Sequence, residues 1–143
     1  MCNIDSKEDK KKIIGYTIVD SRVIYEKDVM DFARLSGDYN PIHVDELFAS
    51  KSIFKKRVAH GMYIASFFSK ILGDKNIGYS GIYLNQNLIF LNPVYINDTV
   101  IVSTELTKIN NIKSIMTFKT SCKVNEKIVV SGTAEIYVNE YTR

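Results

Sequence analysis

Residues 61–72 read GMYIASFFSKIL, the longest almost uncharged apolar segment before the strand-like half of the chain. It contains no proline and only one charged residue, Lys70, so nothing in it interrupts a helix. Apolar or small side chains occupy nearly every position, which is typical of a buried helix and not of an amphipathic helix on a surface. We therefore predict a central helix over 61–72 that begins near Gly61 and is ended by Gly73.

The chain beyond about residue 79 changes character and resembles a series of strands. Four runs with strand-like composition are separated by turn signals that contain asparagine, at 81–91, 99–107, 114–124 and 127–138. Apolar and polar side chains alternate in the second and third runs, which suits an antiparallel sheet with one covered face. One buried helix and a long antiparallel meander predict an α+β domain in which the sheet wraps around the helix.

The chain before the central helix supplies shorter elements. Short β-branched segments predict a strand within 13–24, and apolar residues at helical spacing predict a helix over 25–36. Pro41 removes a backbone donor and disfavours helix at the residue before it, which predicts a loop over 38–43. A short helix is predicted over 45–50.

Composition bounds the class of protein. The 143 residues are 45% hydrophobic and 24% charged, which suits one domain with a core that needs neither disulfides nor metal. We expect a basic flexible leader at 1–12 and a single domain over 13–143. The net charge of +3 is too small to indicate a nucleic-acid partner. Cys2 and Cys122 are interpreted as reduced thiols, and no stretch resembles an export signal or a membrane span, so we expect a cytoplasmic protein.

Residues 36–43 read SGDYNPIH and carry the clearest chemistry. Asp38 and His43 lie five positions apart across a proline, so they cannot share a helix, but they can converge if the loop curls. A carboxylate and an imidazole are the usual groups for acid–base catalysis near neutral pH. Asn40 can hold the loop through hydrogen bonds to the backbone. On residues alone, an Asp–His pair in a loop is more often a structural hydrogen bond than a catalytic pair.

The same segment resembles the signature of the MaoC-like dehydratases, which include the (R)-specific enoyl-CoA hydratases. The matching positions are Phe32, Ser36, Gly37, Asp38, Asn40, Pro41, Ile42, His43, Asp45 and Ala49. A second block, Phe54 with residues 58–62, and a third within 90–100 also match in order. One departure is Asn97, which stands where the family usually has glycine. Asparagine tolerates left-handed backbone angles well, so we expect the turn to survive.

The resemblance implies a hot-dog fold, in which an antiparallel sheet wraps a long central helix, and a homodimer or higher homo-oligomer with the pocket near its interface. It implies an acyl thioester of coenzyme A or of acyl carrier protein as substrate, with no cofactor. The chain shows no Cys/His cluster and no phosphate-binding glycine loop, so we expect no metal either.

The resemblance also implies three catalytic residues. His43 would take a proton from a water that attacks the β-carbon of an enoyl thioester, and Asp38 would give a proton to the α-carbon. The Gly61 N–H, at the start of the central helix, would stabilise the negative charge that builds on the thioester oxygen. The simpler alternative for Gly61 is a tight packing contact between helix and strand.

Substrate-binding roles are implied for four further residues, each with a plainer alternative. Tyr39 and Met62 would line an acyl tunnel, although core packing is the simpler role. Asn40 would orient the catalytic histidine. Ser69 matches a serine near the site in some family members, although a serine on a helix more often bonds its own backbone. His60 is either a third titratable group or a structural residue at the helix start, and we favour the structural role.

The sequence leaves four functions open. The resemblance favours an (R)-specific enoyl-CoA hydratase, which is equally a 3-hydroxyacyl-CoA dehydratase. The alternatives are a 3-hydroxyacyl-ACP dehydratase, an acyl-CoA thioesterase, and a non-catalytic acyl-CoA binding module. Residues 55–57 are Lys-Lys-Arg and would meet the phosphates of coenzyme A or an acidic carrier protein, unless they form a solvated loop.

Overall fold

The computed structural model describes residues 14–73 and 81–138. The elements in chain order are β1 (Thr17–Val23), α1 (Glu26–Ser36), α2 (Pro41–Val44), α3 (Glu46–Lys51), α4 (Gly61–Leu72), β2 (Ile82–Phe90), β3 (Thr99–Asn110), β4 (Ile115–Val124) and β5 (Lys127–Tyr137). The predicted leader at 1–12 lies outside the described residues, and the domain boundary stays a prediction. Within the described ranges, no helix is long and apolar enough to span a membrane.

The five strands form one antiparallel sheet in the order β1-β3-β4-β5-β2. Strand β2 follows α4 in the chain but pairs with the last strand, so β1 and β2 are the two edges. Helix α4 packs against β1, β3, β4 and β5. This arrangement confirms the predicted α+β class and the hot-dog architecture, in which the sheet curls around a central helix.

The core lies between α4 and the concave face of the sheet. Alternate side chains of β3 and β4 point into it, as the period-two pattern predicted: Val100, Val102, Thr104, Leu106, Phe118, Thr120 and Cys122 are buried. From the helix they meet Tyr63, Ile64, Ala65, Phe67, Phe68, Ile71 and Leu72. Burial of this much apolar surface is the main force that holds helix and sheet together.

Helix α4 is buried on only part of its circumference, which differs from the prediction of burial nearly all round. Met62, Ser66, Ser69 and Lys70 form an exposed stripe at spacings i, i+4, i+7 and i+8. Met62 is 58% exposed although it is apolar. The difference arises because the sheet of one chain covers only one side of its helix.

The prediction of a loop over 38–43 was wrong from Pro41 onward, because a single helical turn, α2, begins there. Proline is well placed at the first position of a helix, where its missing N–H would have no partner within the helix. Asn40 caps the turn through its side-chain oxygen, which accepts from the Ile42 N–H at 3.3 Å. This bond confirms that Asn40 holds the segment through backbone contacts.

Several turns with left-handed backbone angles contain asparagine or glycine. Gly37 ends α1 at a φ of 79°, and Asn97 adopts a φ of 73° before β3. Asn97 therefore takes the conformation expected for it in place of the family's glycine. Asn125 and Glu126 both have positive φ values and join β4 to β5 in a tight hairpin.

Candidate active site

The segment after α1 and the first residues of α4 meet at one corner of the fold. His60 Nε2 lies 2.9 Å from the backbone carbonyl oxygen of Asp38, although the two residues are 22 positions apart. The rings of His43 and His60 are stacked, with 3.8 Å between centroids and 29° between planes. The corner therefore unites the predicted acid and base with the start of the central helix.

Local hydrogen bonds fix the segment that carries Asp38. The Asp38 N–H donates to Ser36 Oγ at 3.1 Å, and Asp38 Oδ1 accepts from the Asn40 N–H at 3.1 Å. This is the turn by which an aspartate bonds the backbone two residues further on. The carboxyl group thus has one oxygen held in place, while the residue as a whole stays exposed.

The contact of His43 with a carbonyl group decides which of its nitrogens is free. His43 Nδ1 lies 2.7 Å from the backbone oxygen of Val58. A carbonyl can only accept, so Nδ1 carries the hydrogen, and in the neutral ring Nε2 keeps a bare lone pair. Val58 is itself held, because its N–H donates to the Ile42 carbonyl at 3.1 Å. His43 is 92% buried.

His60 carries its hydrogen on Nε2, the opposite nitrogen from His43, because it too contacts a carbonyl group. Its Nε2 donates to the Asp38 carbonyl, which leaves Nδ1 with a lone pair and, among the described residues, no hydrogen-bond partner. Only 2% of the residue is exposed. Burial lowers the pKa of His60, against the smaller opposing effect of its bond to Asp38. The ring also packs against Phe32, with centroids 4.9 Å apart.

Gly61 is the first residue of α4, and no side-chain cap is made by His60 before it. The first N–H groups of a helix have no partner within the helix and lie at the positive end of its dipole. A Cβ at position 61 would lie 2.7 Å from two ring carbons of Phe90. The packing alternative for this glycine is therefore visible in the structure, and the missing side chain also leaves the N–H approachable.

A cavity of about 410 Å³ opens at this corner, within the range usual for small-molecule sites. Its lining is mostly apolar, with polar groups gathered near the two histidines: Asp38, Ile42, His43, Phe54, Val58, Ala59, His60, Gly61, Met62, Ile64, Phe90, Leu91, Asn92, Pro93, Val94 and Val130. It can hold an apolar chain whose polar end lies against the acid, the base and a helix N-terminus.

Four of the seven predicted site residues line the cavity, namely Asp38, His43, Gly61 and Met62. The other three do not line it within this chain. Tyr39, 55% exposed, and Asn40 lie on the neighbouring surface, and Ser69 lies on the exposed stripe of α4.

Residues 90–92, at the end of β2, line the cavity but were not singled out from the sequence. Phe90 begins the third block of the resemblance, so that block was the available signal. Its position opposite Gly61 could not be read from spacing, because it depends on how β2 pairs with β5.

The basic segment 55–57 divides into two parts. The Arg57 guanidinium bonds Glu26 and Glu46, with 3.1 Å from Nε to Glu46 Oε2, and only 13% of its side chain is exposed. These carboxylates raise the pKa of Arg57 and tie α1 to α3. Arg57 is therefore a structural ion-pair residue, and only the exposed Lys55 and Lys56 could meet an anionic substrate.

A shared metal ion fits the histidine pair poorly. Asp38, His43 and His60 each place one potential ligand atom within 4.8 Å of the others. The lone pair of an imidazole nitrogen lies in the ring plane, however, and two rings stacked with 3.8 Å between centroids and 29° between planes direct their lone pairs alongside each other rather than at one point. One ion could not lie about 2.1 Å from both rings unless one of them turned. The absence of a cofactor stays a prediction.

Comparison with known proteins agrees with this geometry. The model of the MaoC like domain family matches residues 8–128. An (R)-specific enoyl-CoA hydratase of Rhodospirillum rubrum is 43% identical over 118 residues, 82% of each chain. A 3-hydroxybutyryl-CoA dehydratase of Methylorubrum extorquens is 35% identical over 125 residues, 87% of this chain and 80% of the relative.

A solved structure has a similar fold. The (R)-hydratase of Aeromonas caviae involved in PHA biosynthesis superposes with a TM-score of 0.85 at 35% identity, covering 88% of this chain and 96% of that one. The similarity therefore extends over the same elements that build the corner and the cavity. This chain belongs to the MaoC-like domain family.

Proposed function

We propose that this protein is an (R)-specific enoyl-CoA hydratase, a hydro-lyase that adds water reversibly to trans-2-enoyl-CoA and, in reverse, dehydrates 3-hydroxyacyl-CoA. The observation that carries the proposal is that Asp38 and His43 line one largely apolar cavity, each with a potential ligand atom within 4.8 Å of the other, while Val58 binds His43 Nδ1 and leaves Nε2 free. The names of the two relatives, one a hydratase and one a dehydratase, describe the two directions of this reaction.

His43 acts as the base in the hydration direction. Its Nδ1 donates to Val58, so Nε2 takes one proton from water as the water oxygen bonds the β-carbon. Burial keeps bulk water away from this nitrogen and strengthens its hydrogen bond to the one attacking water. The imidazolium that forms is stabilised by the carbonyl at its other nitrogen.

Asp38, in its acid form, gives a proton to the α-carbon. The sum of the two transfers is one water added across the double bond, with His43 left protonated and Asp38 ionised. Transfer of that proton from His43 to Asp38 restores the starting state. The fixed Oδ1 of Asp38 leaves the second carboxyl oxygen as the donor.

The Gly61 N–H stabilises the enolate-like charge on the thioester oxygen. A donor at a helix N-terminus is preorganised, and loss of one such donor costs about 10²–10³ in turnover in other enzymes. Met62 contacts the acyl chain from the same end of the helix. Tyr39, Asn40 and Ser69 remain proposed substrate-binding residues, which act from the surface beside the cavity.

The active form is proposed to be a homodimer in the cytoplasm. Strand β2 is an edge of the sheet and exposes the apolar side chains Ile82, Leu84, Ile89, Phe90 and Leu91. An edge strand with exposed apolar groups is a template for pairing with another chain. Phe90 and Leu91 also line the cavity, so a second copy at this edge would place the pocket near the interface.

Hydration of crotonyl-CoA tests the proposal directly. We expect loss of the enoyl-thioester absorbance without release of free thiol, both followed in the same cuvette. Thiol release would identify a thioesterase instead. Binding of crotonyl-CoA without turnover would favour a binding module, and turnover only of the acyl carrier protein thioester would change the carrier.

A further inference from the structure

We propose that His60 is a positioning residue that clamps the acid and the base of the site to the start of α4. It contacts three parts of the site at once: the Asp38 carbonyl through Nε2, the His43 ring by stacking, and Gly61 through the peptide bond. The inference rests on the proposed function, and it goes beyond it by giving a role to a residue outside the proton transfers.

Among the described residues, the hydrogen bond from His60 to Asp38 is the one side-chain bond between the residue that precedes α4 and the segment that carries Asp38. Asp38 is exposed and follows Gly37, a residue with left-handed backbone angles, so its segment has little apolar contact to hold it. The hydrogen bond is partly buried, and shielding from water strengthens a hydrogen bond relative to a fully exposed one. Loss of this bond would let the carboxyl group move relative to the Gly61 N–H.

The stacking contact between His60 and His43 positions the base, as the hydrogen bond positions the acid. The ring of His60 also contacts Phe32, with 4.9 Å between centroids, and the His43 ring is stacked on it with 3.8 Å between centroids. Each ring donates to a backbone carbonyl through one nitrogen, which leaves a lone pair on the other nitrogen of the neutral ring. His60 is thereby kept from competing with His43 as a base, since its free Nδ1 is buried.

A matched pair of variants isolates the clamp. In His60→Gln the amide nitrogen reaches about as far as Nε2 and can still donate to the Asp38 carbonyl, whereas in His60→Asn it falls short. Both variants lack the ring, so the difference between them measures the hydrogen bond alone. We expect kcat of the Asn variant to fall roughly 10- to 100-fold, the scale of a misplaced catalytic group. KM should change little, and the Gln variant, which loses the stack but keeps the hydrogen bond, should retain clearly more activity than the Asn variant.

The effect of His60→Asn on kcat can also be measured in the Asp38→Asn protein. General destabilisation would lower kcat equally in both proteins. If His60 acts through Asp38, adding His60→Asn to Asp38→Asn should cost far less than it costs in the wild type. Equal kcat in the Gln and Asn variants, or full additivity with Asp38→Asn, would overturn the inference.

A measurement on the unaltered protein tests the hydrogen bond from His60 to Asp38 even if the variants do not fold. The sequence has only two histidines, so their ring nitrogen chemical shifts can be assigned by NMR. We expect hydrogen on Nδ1 of His43 and on Nε2 of His60, and an Nε2 of His60 that carries no hydrogen would refute the clamp. Failure of the wild type to hydrate any enoyl thioester would refute the proposed function and leave this tautomer result intact.

Discussion

The two ends of α4 are built on different principles. At its N-terminal end, two buried histidines face a cavity, and His60 Nδ1 has no partner among the described residues. At its C-terminal end, Leu72 packs into a cluster with Leu106, Phe118 and Ile136 that contains only apolar side chains. The N-terminal end holds oriented polar groups beside a cavity, and the C-terminal end stabilises the fold through apolar packing. Mutations at the two ends should therefore separate activity from stability.

The largest effect is expected from removing the acid or the base. Asp38→Asn and His43→Asn should each lower kcat by about 10²–10⁴, because each removes one proton transfer. The melting temperature should change little for Asp38→Asn, since the side chain is exposed. Steady-state hydration of crotonyl-CoA with matched thermal melts measures both quantities. Retained turnover in either variant would remove that residue from the mechanism.

The next effect lies at the opposite end and should appear in stability alone. Phe118 is 2% exposed, so Phe118→Ala should lower the free energy of unfolding by about 3–5 kcal/mol. Phe118→Leu, which keeps most of the volume, is the milder control. Denaturant unfolding gives the stability, and kcat per folded molecule should equal that of the wild type. A fall in kcat without a loss of stability would contradict the division between the two ends.

An intermediate loss of kcat is expected at Gly61, which both packs against Phe90 and carries the proposed oxyanion donor. Gly61→Ala adds a Cβ 2.7 Å from the Phe90 ring and should displace it or the helix start, lowering kcat roughly tenfold or more. Phe90→Leu in the same chain removes the ring that the new methyl meets. Recovery of kcat in the double variant would show that packing alone requires glycine at this position. Persistent loss would support the oxyanion role of the N–H.

The smallest effect is a pH dependence confined to the histidine end. Burial lowers the pKa of His60 below its ordinary 6.5, so the unfolded chain binds more protons than the folded one just below that pH. The free energy of unfolding should therefore fall as the pH drops from about 6.5 toward the lowered pKa. Urea unfolding at a series of pH values measures this slope. The slope should weaken in His60→Gln and stay unchanged in Phe118→Leu.

Much of the fold could be predicted from the sequence because its determinants are local. Period-two alternation in β3 and β4 and the uninterrupted apolar run of α4 depend only on neighbouring residues. The short helix α2 was missed because proline disfavours most helical positions but suits the first one. The exposed stripe on α4 was missed because composition does not show how far one sheet reaches around a helix.

The site was predictable in part for the same reason. Asp38 and His43 belong to one contiguous motif, so their resemblance to a known signature identifies them together. The stack of His43 on His60 and the contact of Gly61 with Phe90 join segments that only the folded chain brings together. Arg57 was left open from the sequence as a phosphate-binding residue or part of a solvated loop, and in the structure it pairs with two carboxylates.

The most direct test of the central claim is to form the product from crotonyl-CoA in D₂O and determine its structure. Water addition by this corner of the fold predicts (R)-3-hydroxybutyryl-CoA with one deuterium at the α-carbon. The Asp38→Asn protein should yield almost none under the same conditions. The (S) alcohol, free coenzyme A, or equal product from the Asp38→Asn protein would contradict the account.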